Sequence, residues 1–265
     1  MRPPESTLVP ALMVLGLVIG SFLNVAIQRV PRGLSINSPG SACPSCGHPV
    51  RWFDNVPVLS WLVLRARCRD CRAPVSIRYP LVEAATAGLF ALLGMRFGWS
   101  WLLPAMTVLI AGCVALALID LDVGRLPFAI TVPGLPVVAA LLALAGYHDG
   151  WHPARVAVVS MLVWLGLFGF LHVGTGGRGM GLGDVVLAPT LGLALGWLGW
   201  GASLIGLFGG FAAGAVTGLL LIAFGGATRK TAIPFGPFMV IGATLGLFFG
   251  NHLWHIYLSG HQFGR

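Results

Sequence analysis

The stretch Ser100-Trp-Leu-Leu-Pro-Ala-Met-Thr-Val-Leu-Ile-Ala-Gly-Cys-Val-Ala-Leu-Ala-Leu-Ile119 carries no charge, and it ends on Asp120 followed two positions later by Asp122. A helix of that length rises roughly 30 Å, the thickness of a bilayer's hydrocarbon core. The stretch therefore reads as a membrane span with a carboxylate at its end. A carboxylate at hydrocarbon depth costs about 2.5–3.5 kcal/mol on insertion scales, so one placed there faces a partner, a cavity or a reaction.

Working outward, comparable apolar stretches occupy 9–29, 80–98, 128–147, 154–173, 185–200, 202–224 and 232–250, which makes eight with 100–119. The sixth is the shortest, and Gly199-Trp200-Gly201 is only a weak break before the seventh. The chain is 57% hydrophobic and 9% charged, with a mean hydropathy of +0.88. That composition excludes a soluble globular domain. The predicted fold is an all-α polytopic membrane protein of about eight transmembrane helices with a small zinc-binding cytoplasmic loop module. Residues 1–30 form the first transmembrane helix, 31–79 the loop and 80–265 the membrane-embedded domain. The first stretch carries Ser21, Asn24 and Gln28 and no small-x-small cleavage site, so it reads as a retained span rather than a signal peptide.

Charge sets the orientation. With the 31–79 loop in the cytoplasm and the spans alternating, Arg29, Arg32, Arg51, Arg65, Arg67, Arg69, Arg72, Arg78, Arg125, Arg178, Arg229 and Lys230 fall inside. Arg2, Arg96, Arg155 and Arg265 fall outside. The bias is that of the positive-inside rule. The net charge of +8 thus reads as topology and as contact with anionic membrane lipid. The arginines are spread over several loops, which argues against a nucleic-acid partner.

The 31–79 loop holds Cys43-Pro-Ser-Cys46 and Cys68-Arg-Asp-Cys71. Each pair places two thiolates on one knuckle, and two knuckles close a tetrahedral four-sulfur zinc site. Four sulfur ligands leave no open coordination position, so the zinc is predicted to be structural. Disulfides are the alternative, and a reducing cytoplasm argues against them. His48 is a candidate replacement ligand, and Cys113 reads as an apolar packer inside its span.

The second isolated carboxylate is Asp184, after Met180-Gly181-Leu182-Gly183. Two complete spans separate it from Asp120. An even number of crossings returns the chain to the same face, so both carboxylates are predicted near the cytoplasmic side. If their helices meet, the two acids share a proton, and one acts as general base on water while the other polarises a carbonyl. The bland alternatives are that Asp184 caps a helix N-terminus and that Asp120 and Asp122 pair with Arg125. Residues two apart on a helix point to different sides, so only one of Asp120 and Asp122 can face Asp184. The run Gly174-Thr-Gly-Gly-Arg-Gly179 follows a membrane helix rather than a strand, so it is no dinucleotide fingerprint. It reads as a flexible loop admitting a peptide backbone beside Asp184, with Gly181 and Gly183 in support. Gly206, Gly210, Gly214 and Gly218 form a small-residue stripe for helix packing.

Several motifs together resemble a known family. Gly20-Ser-Phe-Leu-Asn24 closes the first span, and the two CxxC pairs flank Trp52-Phe-Asp-Asn-Val-Pro-Val-Leu-Ser-Trp61. Arg78-Tyr-Pro-Leu-Val-Glu83, Ile119-Asp-Leu-Asp122 before Leu126-Pro127, and Met180-Gly-Leu-Gly-Asp184 follow in order. Nearly end to end, the chain resembles the bacterial prepilin peptidases of type IV pilus and type II secretion systems. The resemblance implies a GxGD aspartyl endopeptidase of the bacterial inner membrane. It implies Asp120 and Asp184 as the catalytic pair, because the family's first aspartate stands seven residues before the proline. It also implies prepilin or pseudopilin substrates cut after a glycine, then N-methylation of the new N-terminus with S-adenosylmethionine. This chain has Phe128 where many members carry Asp. Glu83 is a candidate contributor to methyl transfer or the partner of Arg72 or Arg78, while Asp54, Asp70 or Glu83 could attract a basic leader. A transporter, a scaffold with a zinc module and a presenilin-type protease are the competing classes. The one-sided clustering of ionisable residues, the two isolated carboxylates and the four-cysteine loop argue against them in turn.

Overall fold

The computed structural model describes residues 5–224 and 234–260, whose regular elements are helices with no strand among them. Arg2, Arg229, Lys230, Arg265 and the first two residues of the stretch 232–250 lie outside the described residues. The chain forms two compact units, Met1–Leu103 and Pro104–Arg265.

In the first unit, α1 (Glu5–Arg29) packs along α3 (Arg78–Phe97). Glycine makes this contact close. A Cβ on Gly16 would fall 2.6 Å from Ala87 Cα, and one on Gly20 would fall 2.7 Å from Glu83 Cα. Backbones that approach so closely exclude any larger residue and bring the polar end of α1 against the start of α3. Between them runs the loop, with only a short α2 (Leu59–Val63) and a 3-10 turn at Trp52–Asn55.

The second unit carries α4 (Leu103–Val123), α5 (Phe128–Asp149), α6 (Ala154–Gly174), α7 (Leu182–Leu198), α8 (Trp200–Ala223) and α9 (Gly236–Gly260). Among the described residues, seven helices are long and apolar enough to cross a membrane. α7, a shorter apolar helix of 17 residues, stands where the sixth of the eight stretches was expected. At about 25 Å, α7 falls short of the hydrocarbon thickness. It tolerates that because it packs against α5, α6, α8 and α9, and every residue from Leu187 to Gly196 is buried.

The weak break before α8 is a real one. Gly199 takes φ +117°, which favours glycine. Asn251 of α9 then serves both helix ends. Its Nδ2 donates to the Leu198 carbonyl at 2.8 Å, and its Oδ1 accepts from the Ala202 N–H at 3.2 Å. Helix termini leave such groups unsatisfied, and in a membrane protein no water replaces the partner. The expected glycine stripe of α8 meets α9. A Cβ on Gly242 would fall 2.3 Å from the Gly206 carbonyl oxygen and 2.4 Å from Gly210 N, while Gly214 faces Phe235 and Phe238.

Candidate active site and metal centre

Asp120 stands near the C-terminal end of α4 with only 4% of its surface exposed, whereas Asp122 is exposed. Helical geometry thus separates the two acids, and the buried one has a fixed partner. The Gly236 N–H, at the first residue of α9, donates to Asp120 Oδ2 at 2.9 Å. Asp184 lies in the first turn of α7 and is also buried. Its Oδ2 accepts from the Gly181 N–H at 3.1 Å, so the capping role weighed for it is present. Capping uses one oxygen and leaves the carboxyl group open to a second role.

The turn at Leu126 joins these parts. A Cβ on Gly183 would fall 2.7 Å from Leu126 Cβ, and one on Gly236 would fall 3.1 Å from Leu126 Cδ2 and 2.7 Å from Asp120 Oδ2. The start of α7 and the start of α9 therefore both close on the segment after Asp120. Two buried carboxyl groups gathered at one turn can divide acid and base roles between them, which suits general acid–base work on water.

The glycine run before α7 is turned by positive φ angles and bridged by hydrogen bonds. Gly176 and Gly177 adopt φ +60° and +75°. The Thr175 hydroxyl donates to the Leu171 carbonyl at 2.7 Å and accepts from the Gly179 N–H at 3.1 Å. His172 Nδ1 lies 2.8 Å from the Met180 carbonyl, to which it donates. Nothing in the sequence pattern singles out His172; it is close to Met180 only because the turn brings α6 back.

The four cysteines converge as their spacing predicts. All four are free thiols, and the sulfurs lie within 4.8 Å of one another. Tetrahedral zinc with sulfurs at ~2.3 Å requires sulfur pairs roughly 3.8 Å apart, and Cys43 Sγ and Cys71 Sγ stand 3.8 Å apart. The two knuckles repeat one pattern. The Cys43 N–H donates to the His48 carbonyl (2.9 Å) and the Gly47 N–H to the Cys43 carbonyl (2.9 Å). The Cys68 N–H likewise donates to Ala73 (2.8 Å) and the Arg72 N–H to Cys68 (3.1 Å). Gly47 and Arg72 share a positive φ. His48 thus contributes its carbonyl to a knuckle, and four sulfurs complete the cluster without its ring. Backbone N–H groups of Cys46 and then Ser45 pull the Cys43 thiol down to about 6 while Cys46 is pushed up, so the cluster favours a first thiolate at Cys43.

The remaining acids of the first unit have specific partners. Asp54 binds Arg69 with both oxygens, at 2.6 Å from Nη2 and 2.8 Å from Nε, and this guanidinium holds its carboxyl below the usual range. Asp70 meets Arg51 at 3.3 Å. Both are therefore neutralised within the loop and offer little to a basic leader. Glu83 has a partner other than the expected arginine: its Oε2 accepts from the Val58 N–H at 2.7 Å.

An all-helical membrane protein with paired buried carboxylates in one unit and a four-thiol cluster in the other defines the class. Family models match along the same division. The Bacterial Peptidase A24 N-terminal domain covers residues 14–97, and the Type IV leader peptidase family covers residues 107–251. The chain belongs to the type IV leader peptidase family. It is 34% identical to the prepilin leader peptidase/N-methyltransferase of Stutzerimonas stutzeri, over 96% of this chain and 93% of that one. It is 33% identical to the protein of the same name from Pseudomonas aeruginosa, over 93% and 92%. It is 44% identical to that of Myxococcus xanthus, where the match spans 83% of this chain and 65% of the relative. No solved structure matches.

Proposed function

We propose that the chain is an aspartyl endopeptidase that removes the leader of type IV prepilins or pseudopilins at the cytoplasmic face of the inner membrane, and then methylates the new N-terminus. The observation that carries the first half is the closure of α7 and α9 on the segment after Asp120, which gathers two buried carboxyl groups, Asp120 and Asp184, around Leu126. The ionised member takes a proton from water as the oxygen attacks the scissile carbonyl, and the protonated member donates to the carbonyl oxygen. Collapse of the tetrahedral intermediate breaks the C–N bond, with a proton passing to the leaving amine. The cytoplasmic placement is supported by the charge bias and by the two crossings, α5 and α6, between the acids.

The second half is supported by the shared name of the relatives, each a prepilin leader peptidase/N-methyltransferase. S-adenosylmethionine would supply the methyl group. Zinc at Cys43, Cys46, Cys68 and Cys71 would act structurally, and the 3.8 Å sulfur pair fits it.

Prepilin processing in membranes, at matched expression, tests the dyad. Asp120→Asn and Asp184→Asn are expected to lose cleavage by ~1,000-fold or more, as for loss of a general acid or base, while Asp122→Asn keeps cutting. Cleavage retained by either of the first two variants removes that residue from the mechanism.

A further inference from the structure

Three sequence motifs that cleavage does not use meet around one cavity of the first unit. Its volume is about 470 Å³, within the ~300–1,000 Å³ typical of small-molecule sites. Asn24 comes from the end of α1, Ser60 and Trp61 from the loop, and Tyr79 and Glu83 from α3. The wall is tied together. Asn24 Nδ2 donates to the Tyr79 carbonyl at 3.1 Å, and Gln28 Nε2 donates to the Tyr79 hydroxyl. Trp61 Nε1 donates to the Val75 carbonyl at 3.0 Å, which fixes its ring at the wall.

Three acids line this space, and they differ in kind. Asp54 and Asp70 are paired with Arg69 and Arg51. Glu83 is 8% exposed, and the partner of its Oε2 is neutral, the Val58 N–H. That amide donates to the anion without cancelling its charge. The Val58 amide is aimed at it by a costly backbone, since a β-branched residue at φ +60° is rare. In a wall that also carries Arg29, Arg51, Arg67 and Arg69, Glu83 is the one acid held by a neutral donor rather than an arginine, so its charge is left for a ligand.

We propose that this cavity binds the methyl donor, a cationic sulfonium nucleoside, with the Glu83 carboxylate as its counter-charge and the aromatic wall of Trp61 and Tyr79 as its adenine platform. The inference rests on the methyl-transfer reading given above and adds the site. Aromatic faces attract both purines and sulfonium-type cations, and a partly buried carboxylate adds charge selectivity.

Binding of radiolabelled S-adenosylmethionine and of the neutral thioether S-adenosylhomocysteine to the detergent-purified full chain tests it, with zinc content as the check on folding. The wild type is expected to bind both. Glu83→Gln is expected to weaken the sulfonium by ~10-fold or more, about one decade of Kd, and the thioether far less. Ser60→Trp, which fills the cavity without removing the charge, is expected to weaken both alike. If both zinc-loaded variants bind the two ligands as the wild type does, while the wild type methylates a pre-cleaved pilin, the site lies elsewhere and methyl transfer stands. Equal loss of both ligands in Glu83→Gln overturns the counter-charge role. If the wild type neither binds the donor nor methylates, the methyl-transfer reading falls and the inference with it.

Discussion

Asp120 and Asp184 are held by membrane helices that meet through glycine, whereas Glu83 reaches a loop that four thiols gather. In the second unit the positioning atoms are Gly183, Gly236 and Leu126, backbone against backbone. In the first, Glu83 depends on Val58, and Val58 lies in a segment flanked by the knuckles at Cys43–Cys46 and Cys68–Cys71. The loop has almost no core: Trp52, Phe53, Leu59, Leu62 and Val63 are all exposed. A carboxylate pair built on packed helices keeps its geometry without a metal. A carboxylate addressed by a coreless loop needs a cross-link, which is what a structural metal supplies.

Metal removal should therefore divide the molecule. Cys71→Ser, or exhaustive chelation, is expected to empty the zinc site and raise the opened fraction of the 31–79 loop by ~1,000-fold or more, as for loss of a structural metal. Limited proteolysis would detect the cuts within 31–79, and donor binding would fall with them. Cleavage by the Asp120–Asp184 pair should fall much less. Equal loss of both activities would break the contrast between the units.

The converse substitution is Gly183→Val. Its side chain would run into Leu126, where a Cβ alone already comes within 2.7 Å. The start of α7 must shift, and Asp184 with it. A misplacement near 1 Å costs on the order of 100-fold in rate, so prepilin cleavage should drop by that much. Zinc content and loop protection should match the wild type. Gly183→Ala should fall between the two, which orders the effect by volume.

Much of this contrast was legible beforehand, and what was missed has a common cause. The eight apolar stretches and the four cysteines are local patterns, of length in one case and spacing in the other, and both appear in the structure where expected. Parity predicts Asp120 and Asp184 on one face because it counts crossings and needs no contact. The Asp120 bond to the Gly236 N–H spans 116 positions, and nothing around either residue announces it. The same holds for Asn251, which serves two helix ends 49 and 53 positions away. Only the arginine pairing offered for Glu83 fails, and for another reason. Nearby arginines suggested an ion pair, but the strained Val58 amide is visible only in the backbone. The glycine run before α7 reads by composition as a loop, and composition does not show the contacts that Thr175 and His172 make with it. The paired knuckles were in plain sight as Cys43-x-x-Cys-x-x-Pro49 and Cys68-x-x-Cys-x-x-Pro74. Reading the cysteines by metal spacing alone passed over that repeat.

The smallest effect expected in the loop comes from its best-looking ion pair. Asp54 grips Arg69 with two oxygens, and the guanidinium also lies over the Phe53 ring at 5.4 Å. This contact joins the second knuckle to the Trp52–Asn55 turn, so Asp54→Asn would remove a charge from a link across the loop. The pair contributes little, however, because Arg69 keeps 40% of its side chain in solvent, which screens the charges, and the side chains lose freedom on pairing. Arg69 also keeps its contact with the ring in the variant. Proteolytic opening of the zinc-loaded loop should therefore rise by less than about fivefold, the range of surface pairs. In the metal-free protein the same substitution should matter more, since the pair is then among the few links left between the knuckle and the turn. Comparing Asp54→Asn with and without zinc measures how much of the loop's order belongs to the metal. Equal effects in the two states would mean that the loop holds its shape by side-chain contacts, contrary to the division drawn between the units.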